Sequence, residues 1–277
     1  CTGLPLDLLN TPLTEAPLAV FDLETTGINP RTGHRVIEIG ILTSEGGSVQ
    51  ERYESLLNPG RRVPPQASEV NNIFDDMLVD APSFSKLLPE INSLLSNRVL
   101  IAHNAPFDIG FLAVEYHLAR EKFSPGPILD TVKLARSSHD FPNNRLSTIC
   151  DCLGIENSDA HRALADVEAT FSVFGKFAEQ LDDAGDATVQ DWINAQGGEL
   201  SPPGDFHHDL PGDSPLATAI ENGLSLRISY CDKHGFETER VVEPLLCHGD
   251  FLVAHCQLRN EQRTFRLDRI ESMDTPG

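Results

Sequence analysis

Basic residues are scarce in this chain of 277 residues: 21 Lys and Arg stand against 42 Asp and Glu, a formal net charge of −21. That balance excludes a large basic footprint on duplex nucleic acid. It leaves room for a protein that grips one strand end through cations, because bound metal inverts the local field and lets an acidic site accept phosphate. Cysteine is thin as well. Cys1, Cys150, Cys152, Cys231, Cys247 and Cys256 form no C-x-x-C pair and no histidine set completes a zinc site, so they read as reduced, idle thiols. No apolar run approaches the roughly 20 residues that cross a bilayer. No charged, apolar, small-residue signal pattern follows Cys1. The chain is expected to work in the cytoplasm, without membrane contact, and the missing initial Met to reflect processing, truncation or excision.

What is present suits two domains of unequal size, since 40% of the chain is apolar and a packed core is within reach. Most of the acid lies early: residues 1–214 balance to −18 and residues 215–277 to −3. After an extension over 1–16, residues 17–180 read as α/β. LAVFDL at 18–23 is a short apolar run, HRVIEIGILTS at 34–44 alternates, and VQERYESLL at 49–57 predicts an edge strand. A helix over 84–96 precedes another buried strand at 98–104. Phe107, Phe111, Val114 and Leu118 repeat at helical spacing, as do Leu164, Val167, Phe171, Phe174 and Ala178. Between them lie a turn at Pro125-Gly126-Pro127, a short segment at 128–129, and a helix over 146–153 closed by Gly154. Residues 181–214, acidic and rich in Gly and Pro, predict a linker with one helical turn near Trp192. In 215–277 a helix over 216–222 ends at Gly223, and four short strands follow.

Three patches place carboxylates where chemistry wants them: FDLETTG at 21–27, AHNAPFD at 102–108 and AHRALAD at 160–166. Asp22 and Glu24 sit at i and i+2 at a strand's end, so alternation turns both to one face and to one cation. Thr25, Thr26 and Gly27 then turn the chain, with hydroxyls and N–H groups placed to meet a terminal phosphate or hydroxyl. Asp108 lies just inside a helix start. His103 and Asn104 end the strand before it, at the carboxyl edge where α/β sheets gather ligands. His161 and Asp166 are about 140° apart on an ideal helix, which predicts His161 at or before the first turn. Four carboxylates and an imidazole suit a pair of hard divalent cations with a base beside them, and that points to phosphodiester hydrolysis.

In order and type these residues resemble the DEDDh 3′–5′ exonucleases, a ribonuclease H-like family that includes polymerase proofreading subunits. Its D-x-E, later Asp and H-x₄-D motifs appear as Asp22-Leu23-Glu24, Asp108, and His161 followed by Asp166, over about 17–180, with VIEIG and HNAPFD around them. The resemblance implies a ribonuclease H-like mixed sheet flanked by helices and a two-metal mechanism with Mg²⁺ or Mn²⁺. One ion would be held by Asp22, Glu24 and Asp166, the other mainly by Asp22 with Asp108 acting through water. His161 would be the base, and nucleoside 5′-monophosphates the product. Glu24–Gly27 would line the 3′-terminal nucleotide, with His103, Asn104 and Phe107 as further substrate contacts.

Residues 215–277 resemble the WYL domain, a small Sm- or SH3-like β-barrel, through Ile228-Ser229-Tyr230, RVVEP at 240–244 and RTFRLDRI at 263–270. The name-giving Trp-Tyr-Leu is replaced by Asp250-Phe251-Leu252. The resemblance implies ligand or nucleic-acid contacts at Tyr230, His255, Arg263, Arg266 and Arg269. Together the two units predict an exonuclease for single-stranded DNA or RNA 3′ ends with an appended sensing module, and a polymerase or other DNA-processing protein as partner. The competing expectation is a ligand-responsive regulator that uses a nuclease fold for recognition.

Overall fold

The computed structural model describes residues 7–157, 161–182, 184–203, 210 and 214–275. The first unit is built on β1 (Leu18–Thr25). It pairs antiparallel with β2 (Val36–Glu45), which returns as β3 (Ser48–Leu56). Gly46 and Gly47 form the two-residue connection, both with positive φ (57° and 74°), the primed turn that matches strand twist. Then come α1 (Pro65–Asn71), α2 (Asp75–Leu78), α3 (Phe84–Leu95), β4 (Val99–Ala102), α4 (Ala105–Leu118) and β5 (Ile128–Asp130). β4 runs parallel to β1, and β5 to β4, giving the order β3-β2-β1-β4-β5. α5 (Thr131–Ser138), α6 (Leu146–Leu153) and the long α7 (Ala163–Leu181) complete the layers.

Alternation along β1 divides two cores. Leu18 and Val20 pack with Val167, Val173, Phe174 and Phe177 of α7, while Ala19, Phe21 and Leu23 pack with Phe84 and Ile91 of α3 and Phe111 and Leu112 of α4. The residue face that begins with Leu18 and Val20 continues as Asp22 and Glu24. The carboxylates therefore emerge where the α7-side core ends. At β2, Gly40 leaves room for α7: an added Cβ would stand 2.6 Å from the backbone of Ala163.

The stretch read as a linker carries α8 (Val189–Ala195), longer than a single turn. A capping box between Thr188 and Asp191 starts it, and Trp192 packs against Phe174. Gln196 follows, accepting from Asp130 N–H and donating to the Ile128 carbonyl, both at 2.9 Å, which pairs the outer edge of β5, the last strand of the sheet. The expected positions in 204–209 and 211–213, including Gly204, Pro211 and Gly212, lie outside the described residues, as do Cys1 and Asp183.

The second unit opens with α9 (Pro215–Asn222), closed by Gly223 at φ 63°. Five strands follow where four were expected: β6 (Leu226–Cys231), β7 (Glu237–His248), β8 (Phe251–Cys256), β9 (Glu261–Arg266) and β10 (Ile270–Asp274). The run at 263–270 is broken by a 3₁₀ turn at Leu267–Arg269, so its last residue starts a separate strand. The antiparallel order is β10-β6-β7-β8-β9, and no ladder joins β9 to β10 among the described residues. The sheet is thus open, where a barrel was expected. No helix among the described residues is long and apolar enough to cross a membrane.

Candidate active site

Asp22 and Glu24 share the half-buried face at the end of β1, Asp108 sits buried in the first turn of α4, and Asp166 in the first turn of α7. The structure brings ligand atoms of Glu24, His161 and Asp166 within 4.8 Å of one another. Asp22 is an electrostatic neighbour of Asp108, Asp166, Glu24 and Glu38. Loss of water contact, then those four charges, push the Asp22 carboxyl well above the usual carboxylate range. Burial, then Asp166 and Glu38, raise Glu24 to about 7, against the pull of Asn71 and Arg162. Burial also raises Asp108, although backbone N–H groups at 108 and 23 oppose it. Such crowding of like charge is unfavourable unless a cation answers it. The donors are carboxylate oxygens with one imidazole, which fits hard divalent ions.

His161 precedes α7 with φ 70°, exposed, so its ring stands outside the helix as the spacing requires. Its N–H donates to Asp166 Oδ2 at 3.0 Å, and Asn157 Nδ2 donates to Asp166 Oδ1 at 3.2 Å. These bonds fix the carboxylate's plane. The start of α7 is held by Glu38, a fully buried residue of β2. Its carboxylate accepts from Arg162 Nη2 at 2.6 Å and Ala163 N–H at 2.9 Å.

The Thr25–Gly27 turn is sewn to the strand beside it. Thr26 N–H donates to the Arg35 carbonyl (2.9 Å), and Thr26 Oγ1 accepts from Arg35 N–H (3.0 Å) and meets His34 Nδ1 at 3.2 Å. Thr25 Oγ1 donates to the Gly27 carbonyl, and Asn71 Nδ2 to the Thr25 carbonyl. His103 spends both ring nitrogens inside the protein, on Thr131 Oγ1 (2.7 Å) and the Asn144 carbonyl (2.9 Å). Asn104 adopts φ 71° and donates its N–H to Asp130. Phe107 packs against Phe111, centroids 4.9 Å apart.

In the second unit the five expected contacts do not share one hydrogen-bonded cluster. Tyr230 packs edge-on against Phe265 and its Oη accepts from Arg266 N–H. Arg266 forks onto Asp268, and Arg263 pairs with Glu261 at 3.0 Å. His255 lies opposite Gln262 in the β8–β9 ladder, and Arg269 closes the 3₁₀ turn before β10.

The sequence reading missed Glu38, Asn71, His34, Asn157 and Arg162. Glu38 had a signal in hindsight: a charge between Ile37 and Ile39 of an apolar strand must find a buried partner. Asn71 and Asn157 had none, because their partners are fixed by the fold.

A mixed α/β sheet with carboxylates gathered at strand and helix ends defines a candidate divalent-cation site. The family model described as Exonuclease matches residues 19–174, and one described as WYL domain matches 214–275. The chain belongs to the exonuclease family, with a WYL domain after it. Among similar proteins are two described as DNA polymerase III PolC-type. The Bacillus subtilis protein is 35% identical over 216 residues, 76% of this chain and 14% of that protein. The Oceanobacillus iheyensis protein is 35% identical over 170 residues, 61% and 12% of the two chains. This chain thus spans about a seventh or less of these relatives. Its fold is similar to exonuclease X in complex with 5′ overhanging duplex DNA (TM-score 0.52, 22% identity, 65% of this chain and 99% of that one). It is also similar to exonuclease I (TM-score 0.56, 14% identity, 94% and 65%).

Proposed function

We propose that the chain is a 3′–5′ exonuclease that removes nucleoside 5′-monophosphates from single-stranded ends, DNA before RNA. The observation that carries this reading is the approach of Glu24, His161 and Asp166 to within 4.8 Å, beside the carboxylates of half-buried Asp22 and buried Asp108. Asp22, Glu24 and Asp166 would hold one Mg²⁺ or Mn²⁺, and Asp22 with Asp108 a second. When bound, such ions polarise the attacking water and the scissile phosphate. His161, exposed and tied through its backbone to Asp166, accepts the water's proton. Asn157 and the His161 amide keep Asp166 turned toward Glu24. The sewn Thr25–Gly27 turn meets the terminal nucleotide, with Phe107, Asn104 and, behind them, His103 shaping the same mouth. Water adds to phosphorus as the P–O3′ bond breaks, and the shortened strand keeps a 3′-hydroxyl.

The likeness to PolC-type polymerases supports a polymerase or another DNA-processing protein as partner. The C-terminal module, read as a small Sm-like sheet, serves contact with nucleic acid or a ligand through Tyr230, His255, Arg263, Arg266 and Arg269. End-labelled single- and double-stranded DNA and RNA, incubated with Mg²⁺, Mn²⁺ or chelator, test the reading. Stepwise mononucleotide release from 3′ ends is expected only with metal; release from 5′ ends, or none at all, sinks it.

A further inference from the structure

Residues 25–37 and 55–68 hold four arginines and one histidine and neither Asp nor Glu, in a chain where acids outnumber bases twofold. The fold lays these two stretches side by side. Leu57 N–H donates to the Ile37 carbonyl at 2.8 Å, and the Arg35 guanidinium to the Pro59 carbonyl at 3.2 Å. Strand β9 of the C-terminal module closes over both. Gln262 N–H donates to the Gly60 carbonyl, Gln262 Nε2 to the Gly33 carbonyl, and Thr264 Oγ1 to the Thr32 carbonyl, each at 2.8 Å. Arg61 and Arg263 therefore flank one hydrogen bond, each a residue beyond its partner.

The charges along this seam are unevenly answered. Glu115 neutralises the buried Arg35 at 2.6 Å, whereas Glu261 pairs with Arg263 at 3.0 Å in a bridge open to water, which leaves that guanidinium accessible. Arg61 donates to the Gly33 carbonyl, but its Nε is buried without a partner, and no carboxylate forms an ion pair with it among the described residues. Its charged neighbours are Arg35 and Arg263, against the single opposing charge of Glu261, which is already engaged by Arg263. A guanidinium so placed calls for an anion. The seam also reaches the carboxylate site directly. His34 lies 3.2 Å from Thr26 Oγ1, and a Cβ added at Gly27 would stand 2.4 Å from its ring. Beside it Ile28 is 86% exposed, an apolar surface that a nucleotide covers and a free inorganic anion does not.

We propose that this seam binds backbone phosphates of the strand whose 3′ end enters the carboxylate site, with Arg61 and Arg263 taking neighbouring phosphates, one from each unit. The inference rests on the nuclease reading above. It assigns the module a place on the substrate path, fixed by its docking.

Binding of a fluorescein-labelled single-stranded oligonucleotide to the full chain in Ca²⁺, titrated with salt, tests it. Arg61→Gln and Arg263→Gln are each expected to weaken binding about tenfold at low salt. Each should lower the slope of log Kd against log salt by about 0.7, the value for one single-strand phosphate contact. Arg61→Lys should keep the slope. Arg263 is exposed and its side chain bonds, among the described residues, to Glu261 of its own strand, so a melting curve matching the unaltered chain removes misfolding as the cause. If the unaltered chain trims strand ends in Mn²⁺ while both Gln variants keep its affinity and slope, the seam assignment falls and the nuclease reading stands. If the unaltered chain releases no nucleotide, the nuclease reading falls and the seam loses its occupant.

Discussion

At Asp22, burial and four neighbouring carboxylates all raise the carboxyl's affinity for a proton, and Glu24 is lifted to about 7. The metal-free folded chain therefore binds protons more tightly than the unfolded chain does. The contribution of these two carboxyls to stability is fully present below the ordinary carboxylate range and is lost as pH climbs through about 7. Added Mn²⁺ competes for the same oxygens, so it should raise Tm more at about pH 8 than at about pH 5. Equal shifts at both values, by differential scanning fluorimetry, would contradict the assignment. Asp22→Asn should remove one of the crowded charges. We expect it to raise the metal-free Tm by roughly 2–4 °C while lowering turnover at least ~10³-fold. A stable variant with undiminished hydrolysis would exclude Asp22 from the chemistry. His161 offers a cleaner separation, because its φ of 70° is one that Asn also tolerates. His161→Asn should lower kcat about 10²–10⁴-fold with metal affinity nearly kept. A large loss of metal binding in calorimetry would make His161 a ligand instead of a base.

The site depends on where α7 begins, and that is decided by β2. Gly40 allows backbone to meet backbone at Ala163, and Glu38 ties Arg162 and the Ala163 N–H. Gly40→Ala should push the first turn of α7 off the sheet and carry Asp166 away from Glu24. A stability cost of about 1–3 kcal/mol and a turnover loss exceeding tenfold are expected, read by denaturant melts and end-labelled assays. Wild-type turnover in that variant would mean the helix start can shift without cost. The strands and helices around this joint were readable because each follows a local period, and Asp22, Glu24, Asp108, His161 and Asp166 because residue type and spacing survive in one dimension. Asn71 and Asn157 were hidden for the opposite reason: each matters through a partner at least nine residues away, which no window displays, while Glu38 showed itself as a charge in an apolar strand but not its partner. α8 was read too short because its acidic, Gly-bounded surroundings masked Trp192 and Gln196, whose value lies in covering β5. The fifth strand of the module escaped because a 3₁₀ turn interrupts one apparent run.

At the scale of the whole molecule a polar relay through Arg35 is among the bonds that join the two units. Glu115 of α4 grips Arg35 through both carboxylate oxygens, at 2.7 and 2.6 Å, and also accepts from Val36 N–H. Arg35 reaches on to Gln262 Oε1 at 2.8 Å, and Gln262 donates back to Gly33. The backbone of Arg35 is the same segment that holds Thr26, so the module's strand is two bonds from the turn at the catalytic mouth. Apolar contact between Ala113 and Val114 of α4 and Leu246 and Val253 of the module adds to the joint. Gly33, at φ 87°, has no space for a Cβ, which would stand 2.6 Å from Thr264 Oγ1. Removing the amide at 262 leaves one donor of a buried guanidinium unmet and takes one of two donors from the Gly33 carbonyl, a cost of about 1–3 kcal/mol. Gln262→Ala should therefore loosen the docking and speed amide exchange at Thr26 and Arg35, with the carboxylates untouched. In calorimetry the unaltered chain should unfold with its module in one transition, and the variant should show the module leaving first. If both melt alike and exchange at Thr26 is unchanged, the relay carries no force from the module to the mouth, and the docked strand is packing alone.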